Sequence, residues 1–186
     1  MASSFDIQAV LGIQRLVLSS PWTISLSVFL ARWAILLLVA IVVYLFFARD
    51  KKKRIASIQA VLSLGTALAF VSVISRLVLR VRPFLAFQDV TLLIPPPLKT
   101  SFPSGHTAAA FALAFAIASG NRPLGILACI LASAIAFSRM AVGVHYPTDI
   151  LGGFAVGLPA FFLVRLLYRK VWIPRIAPKI PKTSHA

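Results

Sequence analysis

Long apolar runs, separated by short basic or proline-containing segments, restrict the fold of this chain more than any other feature of its sequence. A membrane-spanning helix needs about 20 consecutive, mostly apolar residues. Five runs approach this length, at residues 23–48, 55–79, 103–119 and 124–142 and between Asp149 and Leu167. Hydrophobic residues make up 60% of the chain, well above the roughly 45–50% of soluble domains. The sequence therefore predicts an all-α, polytopic membrane helix bundle with about five transmembrane helices.

The first residues follow a different pattern. Residues 5–19 mix apolar and polar side chains at helical spacing, over too short a length to cross a bilayer. They also lack the continuous apolar stretch of a cleavable signal peptide. We therefore predict an N-terminal amphipathic helix that lies in the membrane interface. The chain then divides into this interfacial segment (1–22), a membrane domain (23–167) and a basic cytoplasmic tail (168–186).

The charge of the chain is strongly positive, with nineteen basic and four acidic residues and a formal net charge of +15. The basic residues cluster at the ends of the apolar runs, where they contact lipid headgroups, and we expect no nucleic-acid partner. One side of the predicted membrane carries the five in residues 49–54, Arg122 and the six from Arg165 onward. The other side carries the remaining seven. Because cytoplasmic loops carry the excess, the second side is predicted to face away from the cytoplasm.

Most of the scarce polar residues lie on that second side. A helix rises about 1.5 Å per residue, so residues 105–120 descend about 22 Å and residues 124–139 return by the same distance. The steps from Ile55 to Arg76 cover about 31 Å, close to one hydrocarbon thickness. The sequence therefore predicts that the segments around Arg76, Ser104 and Arg139 meet at one end of the bundle.

A candidate anion site begins at Ser104 and Gly105, after Pro103. A capping hydroxyl, a glycine and free amides at the positive end of the helix dipole suit a bound anion, although such residues also serve as plain helix caps. Arg82 and Arg139 would add planar donors that match phosphate oxygens. Two further arginines stand nearby in the sequence, Arg76 and Arg80. These either join the site or contact lipid headgroups.

His145 and Asp149 stand four residues apart. In a helix or tight turn the carboxylate can hold one ring nitrogen and leave the other as a nucleophile. His106 would stand on the other side of a bound phosphate as the general acid for the leaving oxygen. A lone His-Asp pair is more often structural, but a second histidine, an anion site and several arginines accompany this one. Together they indicate phosphoryl-transfer chemistry.

These residues resemble three signatures of the type 2 phosphatidic acid phosphatase superfamily. The signatures are Lys-x6-Arg-Pro, Pro-Ser-Gly-His and Ser-Arg-x5-His-x3-Asp. The second is intact at residues 103–106, and the third is intact at residues 138–149. The first keeps its Arg-Pro at residues 82–83 but has Ser75 at the position of the lysine.

The resemblance implies a role for each matching residue. His145 would attack the phosphorus atom to form a phosphohistidine, Asp149 would orient it, and His106 would protonate the leaving group. The residues that would bind phosphate oxygens are Arg82, Ser104, Gly105, Arg139 and, in the place of the lysine, Arg76 or Arg80, of which we favour Arg76. The resemblance implies no metal ion or other cofactor, and four carboxylates scattered over positions 6, 50, 89 and 149 do not suit a hard cation.

Within the superfamily, the short chain, the interfacial N-terminal helix and the outward-facing site resemble the bacitracin-resistance type of undecaprenyl-diphosphatase. This likeness implies hydrolysis of undecaprenyl diphosphate to the monophosphate, in recycling of the cell-wall lipid carrier at a bacterial inner membrane. A phosphatidate, phosphatidylglycerophosphate or lipid A phosphatase would use the same residues. The alternative of another class is a non-enzymatic membrane scaffold or anionic-lipid-binding protein, in which the histidines have no required role.

Overall fold

A computed structural model describes residues 3–97 and 100–172 of the chain. In order, these residues form α1 (Ser4–Val17), α2 (Pro21–Arg32), α3 (Ala34–Phe47), α4 (Lys51–Leu77), α5 (Pro83–Ala86), α6 (Gly105–Gly120), α7 (Arg122–Ala141), α8 (Pro147–Leu167) and a π-helical turn (Tyr168–Trp172). They contain no β-strand, only an isolated antiparallel bridge between Val81 and Thr100. The predicted all-α bundle is confirmed. From residue 173 onward, the predicted tail lies outside the described residues.

The first predicted span, residues 23–48, is broken at Trp33. The axes of α2 and α3 differ there by 46°, and Trp33 itself has a φ of −116°. A helix end leaves carbonyl groups without partners in the helix, and the Ala31 carbonyl accepts a hydrogen bond from Nη1 of Arg139 at 2.8 Å. A foreign donor in the hydrogen-bond ladder is a known cause of helix kinks. At the break, the Ala31 carbonyl is therefore available to bind Arg139 of α7.

Three of the described helices are long and apolar enough to cross a membrane, and the bent α2–α3 pair raises the number to as many as four. The three are α4, α7 and α8, the last continued to Lys170. The remaining predicted span forms α6, which has 16 residues and rises about 24 Å, less than the ~30 Å of a hydrocarbon core. It lies at the centre of the bundle, in contact with α3, α4, α7 and α8.

Glycines let α8 cross close to the first turns of α6. A Cβ atom on Gly153 would lie 2.6 Å from the carbonyl oxygen of Ser104, and one on Gly157 would lie 2.5 Å from that of Ala108. Small residues at such crossings allow helix backbones to approach closely in lipid. The same crossing lets the Ser104 amide donate a hydrogen bond to the Asp149 carbonyl at 3.0 Å. The N-termini of α6 and α8 are thus held together.

Two contacts define how far α4 extends beyond α6. A Cβ atom on Gly120 would lie 2.5 Å from Cβ of Ala56, and one on Gly105 would lie 3.6 Å from Cγ1 of Val71. Residues 56–71 and 105–120 cover the same number of steps, so the two antiparallel helices are level over this stretch. α4 continues for six residues beyond Val71, to Leu77, which is about 9 Å. The N-terminus of α6 therefore lies about 9 Å below the end of α4.

The predicted N-terminal amphipathic helix is present as α1, which packs on α7 and α8. Its buried residues are Asp6, Val10, Gln14 and Val17. On the other face, Phe5 and Leu16 are 67% and 73% exposed. The side-chain amide of Gln14 donates hydrogen bonds to the carbonyl oxygens of Thr91 and Ala141, at 2.7 and 3.1 Å. Polar and apolar contacts therefore fix α1 to the bundle, and some of its large apolar side chains remain on the outer face.

The close contact of α6 and α8 can be tested with Gly157→Ala. The added methyl group would overlap the Ala108 carbonyl, so we expect the detergent-solubilised protein to lose about 1–3 kcal/mol of stability, as overpacked sites do. Gly65→Ala on α4 is the matched control, because a Cβ atom there meets nothing within 4 Å and alanine favours helix. Thermal unfolding followed by circular dichroism should give a lower midpoint for Gly157→Ala alone. Equal midpoints would contradict the crossing.

Candidate active site

Four segments meet at one end of the bundle. Arg82 follows α4, Ser104 precedes α6, Arg139 lies in the last turn of α7, and His145 and Asp149 flank the start of α8. All five side chains are polar and buried, with relative exposures of 8% for Arg82, 4% for Arg139, 3% for His145 and 0% for Ser104 and Asp149. Buried polar and charged groups are stable only when they are partnered. His145 has two of its partners within this set, Asp149 and Arg82.

Asp149 holds His145 through the first turn of α8. Its Oδ2 atom lies 3.4 Å from Nδ1 of His145, and it accepts hydrogen bonds from the Tyr146 amide at 2.8 Å and from the Ser101 hydroxyl. The positive end of the helix dipole further stabilises a carboxylate in this position. Asp149 is therefore fixed beside one nitrogen of the ring and leaves Nε2 to other partners.

Arg82 approaches the opposite nitrogen of that ring. Its Nη1 lies 3.3 Å from Nε2 of His145 and donates a hydrogen bond to the Val144 carbonyl at 2.9 Å. Because a guanidinium only donates, this contact favours the tautomer with the lone pair on Nε2 and the proton on Nδ1, facing Asp149. Burial lowers the pKa of His145 to about 4, against the opposing effect of Asp149. At neutral pH the ring is neutral and Nε2 can act as a nucleophile.

The N-terminus of α6 and two buried guanidiniums lie together at this end of the bundle, where the sequence predicts an anion site. The hydroxyl of Ser104 accepts hydrogen bonds from the amide and hydroxyl of Thr107 at 3.4 and 2.9 Å, and Gly105 adds no side chain over the first-turn amides. Arg82 and Arg139 lie close enough to repel each other. Nε of Arg139 is buried without a hydrogen-bond partner among the described residues. A phosphate group would supply the acceptors and the negative charge that this set lacks.

His106 lies in the first turn of α6 and, unlike the neighbouring polar residues, is exposed. It is within electrostatic range of Arg139, His145 and Arg82. The two histidines therefore share one end of the bundle and the same two arginines. An exposed imidazole can exchange protons with water, whereas the buried ring of His145 is shielded. This difference suits His106 for proton transfer and His145 for nucleophilic attack.

The two arginines that could replace the signature lysine lie in different places. Arg76, which we favoured from the sequence, is exposed in the last turn of α4. Helix contacts put Val71 level with Gly105, so Arg76 lies five residues, or about 7.5 Å, beyond that level. Arg80 lies after the helix end and folds back, with Nη1 at 2.5 Å from Oδ1 of Asp149. Arg80 rather than Arg76 contacts the buried polar set.

Three residues at this end of the bundle were missing from the sequence-based set: Asp6, Ser101 and Thr148. Asp6 accepts hydrogen bonds from Arg80 and Thr148. The only sequence feature that could have pointed to Asp6 is that the chain has just four acidic residues. Ser101 and Thr148 carried no signal beyond their closeness to a signature. Across residues 3–97 and 100–172, no group of three or more His, Cys, Asp or Glu side chains could hold a metal ion.

Comparison with known proteins places this arrangement in a family. The family model described as the PAP2 superfamily matches residues 56–173, a stretch that contains every sequence-predicted site residue. The chain is also 33% identical over 141 residues to the undecaprenyl-diphosphatase BcrC of Bacillus subtilis (strain 168). That alignment covers 75% of this chain and 72% of the relative.

Solved structures give the same result. The PAP2-type phosphatidylglycerolphosphate phosphatase of Bacillus subtilis superposes with a TM-score of 0.67 and 27% identity, over 91% of this chain and 89% of its own. LpxE of Aquifex aeolicus superposes with a TM-score of 0.72 and 25% identity, over 88% of this chain and 96% of its own. These matches decide between an enzyme and a scaffold. The chain belongs to the PAP2 superfamily and is a membrane phosphatase that acts on lipid substrates.

Proposed function

We propose that this phosphatase hydrolyses undecaprenyl diphosphate to undecaprenyl phosphate and inorganic phosphate. The observation that carries the proposed chemistry is the contact of one buried ring, His145, with Asp149 on Nδ1 and with a phosphate-binding type of side chain, Arg82, on Nε2. The choice of lipid is supported by the similarity to an undecaprenyl-diphosphatase over three quarters of the chain. The excess of basic residues at the opposite end of the bundle supports a site on the extracytoplasmic side.

In the first step, Nε2 of His145 attacks the terminal phosphorus atom. The bond between that phosphorus and the bridging oxygen breaks, and His106, protonated beside the bound diphosphate, gives a proton to the departing undecaprenyl phosphate. Arg82 exchanges its contact with Nε2 for the phosphate oxygens, which Arg139, the hydroxyl of Ser104 and the amide of Gly105 also bind. Positive charge develops on the ring as the N–P bond forms. The Asp149 carboxylate beside Nδ1 stabilises it.

In the second step, water attacks the phosphohistidine. His106, now neutral, takes a proton from that water, and the N–P bond breaks to release inorganic phosphate. The electron pair of the bond returns to Nε2 of His145. Together the two steps return both histidines to their starting protonation states. Neither a metal ion nor an external base takes part in the proposed steps.

Phosphatidylglycerophosphate is the second candidate substrate. The specific observation in its favour is the superposition on a phosphatidylglycerolphosphate phosphatase over 91% of this chain. The same steps would apply, with an alcohol as the leaving group in place of a lipid phosphate. The two candidates differ in the group that departs and in the lipid tail.

Phosphate release by the detergent-solubilised protein tests the substrate. In the presence of EDTA we expect faster release from undecaprenyl diphosphate than from phosphatidylglycerophosphate or phosphatidate, at equal mole fraction in the micelle. A preference for phosphatidylglycerophosphate would replace our first candidate by the second. Release from none of the three lipids would refute the proposed function as a whole.

His145→Ala tests the nucleophile. We expect turnover to fall by at least about 10³-fold, because the covalent route is lost. Brief incubation of the original protein with substrate labelled in the terminal phosphate should leave an acid-labile, base-stable label on the protein, and His145→Ala should not acquire it. Unchanged thermal unfolding would show that the variant is folded. A variant that retains the label would rule out His145 as the attacking residue.

His106→Gln tests the general acid by comparing leaving groups. A departing phosphate oxygen is a much weaker base than a departing alkoxide, so it needs less help from an acid. We expect kcat/KM to fall by about 10²-fold or more with phosphatidate and by only about tenfold with undecaprenyl diphosphate. Equal losses on the two lipids would mean that His106 does not protonate the leaving group.

A further inference from the structure

Beyond His145 and Asp149, a chain of charged side chains continues through Arg80 to α1. Nη1 of Arg80 lies 2.5 Å from Oδ1 of Asp149, and Nη2 lies 2.6 Å from Oδ2 of Asp6. Nη1 also donates a hydrogen bond to the Thr148 hydroxyl at 2.6 Å. Both terminal nitrogens of the guanidinium are therefore bound to protein groups, and one carboxylate comes from the N-terminal helix.

We propose that Arg80, held by Asp6, is a positioning residue that fixes the Asp149 carboxylate and offsets its charge, so that α1 contributes to catalysis. This inference rests on the proposed roles of His145 and Asp149. It assigns to Arg80 a task other than phosphate binding, and it gives the amphipathic helix a function besides attachment to the membrane.

The two oxygens of Asp149 have separate partners. Oδ2 faces His145 and accepts hydrogen bonds from Tyr146 and Ser101, while Oδ1 is bound by Arg80. With both oxygens engaged, the carboxylate cannot rotate about its terminal bond without breaking an ion pair. The guanidinium also lies over the ring of Tyr146, 4.3 Å from its centroid, which adds a cation–π contact. The ion pairs and the contact with Tyr146 together fix the guanidinium of Arg80 beside Oδ1 of Asp149.

Charge compensation is the second effect of Arg80. A bare carboxylate beside His145 would favour the protonated, non-nucleophilic ring. Arg80 takes up part of that negative charge, and the buried ring stays neutral. The other titratable or charged groups that act on His145 are Arg82, Arg139 and His106. Arg80→Gln replaces none of these three residues.

Asp6 keeps Arg80 in place. Its side chain is 2% exposed, and Thr148 donates to both of its oxygens, at 2.9 and 3.0 Å. Asp6 also forms a reciprocal capping box with Ser3 at the start of α1, which fixes its own orientation. Hydrogen bonds from Thr148 and Arg80 outweigh burial and hold the pKa of Asp6 below its ordinary value. A permanent negative charge therefore faces Arg80 from α1.

Binding of a second substrate phosphate is the competing role for Arg80. It would require Nη1 or Nη2 to leave a carboxylate at 2.5 or 2.6 Å, and both ion pairs are largely shielded from water. Both roles predict weaker activity when Arg80 is lost. They differ in which kinetic constant changes and in the dependence on pH.

The test measures kcat, KM and the pH dependence of kcat/KM for Arg80→Gln and Asp6→Asn on the lipid that the original protein prefers. KM is measured on both undecaprenyl diphosphate and phosphatidate. For Arg80→Gln we expect kcat to fall by about 10- to 100-fold, as for lost supporting contacts at other sites, with KM within about threefold. The acidic limb of the pH profile of kcat/KM should move to higher pH by roughly one unit. The reason is that an Asp149 carboxylate without Arg80 favours the protonated ring of His145. An open surface pocket of about 650 Å³ that Arg80, Asp6 and Thr148 help to line leaves room for water around the shorter side chain.

Asp6→Asn separates electrostatics from general damage. It should lower kcat because Arg80 loses an anchor, but it removes a negative charge, so the acidic limb should not move to higher pH. The matched controls are Arg15→Gln on α1 and Asp89→Asn, both exposed, which should leave all constants unchanged. If the acidic limb moves to higher pH by the same amount in Arg80→Gln and Asp6→Asn, the ion pairs of Arg80 have only a structural role. That result would overturn the proposal.

Two further outcomes decide the matter. An unchanged kcat and acidic limb in Arg80→Gln, or a rise in KM confined to diphosphate substrates, would also overturn it. If Arg80→Gln does not fold, Arg80→Lys should keep the acidic limb in place through its charge but recover only part of kcat, since an ammonium cannot reproduce the planar fork; full kcat would contradict positioning. Failure of the proposed function itself would appear in the protein with Arg80 intact, as turnover that survives His145→Ala.

Discussion

The buried carboxylate of Asp149 is the group on which the arrangement of this end of the bundle depends. A fully buried negative charge is costly unless several donors surround it. Ser101 donates from the loop before α6, Tyr146 from the start of α8, and Arg80 from the segment after α4. Satisfying one carboxylate therefore brings three separate parts of the chain to one point, and His145 is carried there by its place in the sequence.

Arg139 shows how an apparent defect in one helix serves a residue in another. A continuous first span would use the Ala31 carbonyl within its own backbone, whereas the break at Trp33 makes that oxygen available to Nη1 of Arg139. The anchor holds one terminal nitrogen and leaves Nε without a described partner. A guanidinium that is fixed at one end and unsatisfied at another is prepared for an anion without reorganisation, which is the condition for electrostatic catalysis. The bend and the proposed phosphate site are linked through one side chain.

Sequence reasoning succeeded where spacing alone carries the information. Apolar run lengths gave the helix bundle, and the fixed intervals around His106, His145 and Asp149 placed these residues at connected helix ends. Sequence reasoning did not give the register between neighbouring helices. Counting from Ile55 put Arg76 level with the site, but the contacts of Gly105 with Val71 and of Gly120 with Ala56 set the level five residues earlier. Helix length cannot reveal how two helices are shifted against each other, and nothing near Asp6 announces a partner 74 residues away.

The same shift explains why the segment after α4, rather than α4 itself, supplies Arg80 and Arg82. Because α4 rises about 9 Å past the N-terminus of α6, side chains at its end project above the phosphate site, and the chain must descend again to reach it. The bridge between Val81 and Thr100 and the hydrogen bond from the Ser101 amide to the Arg80 carbonyl secure that descent. The guanidiniums of Arg82 and Arg139 are buried beside the start of α6, and ionic contacts with a phosphate would strengthen as water is excluded. The position of the short central helix thus sets the level at which the proposed phosphate site lies.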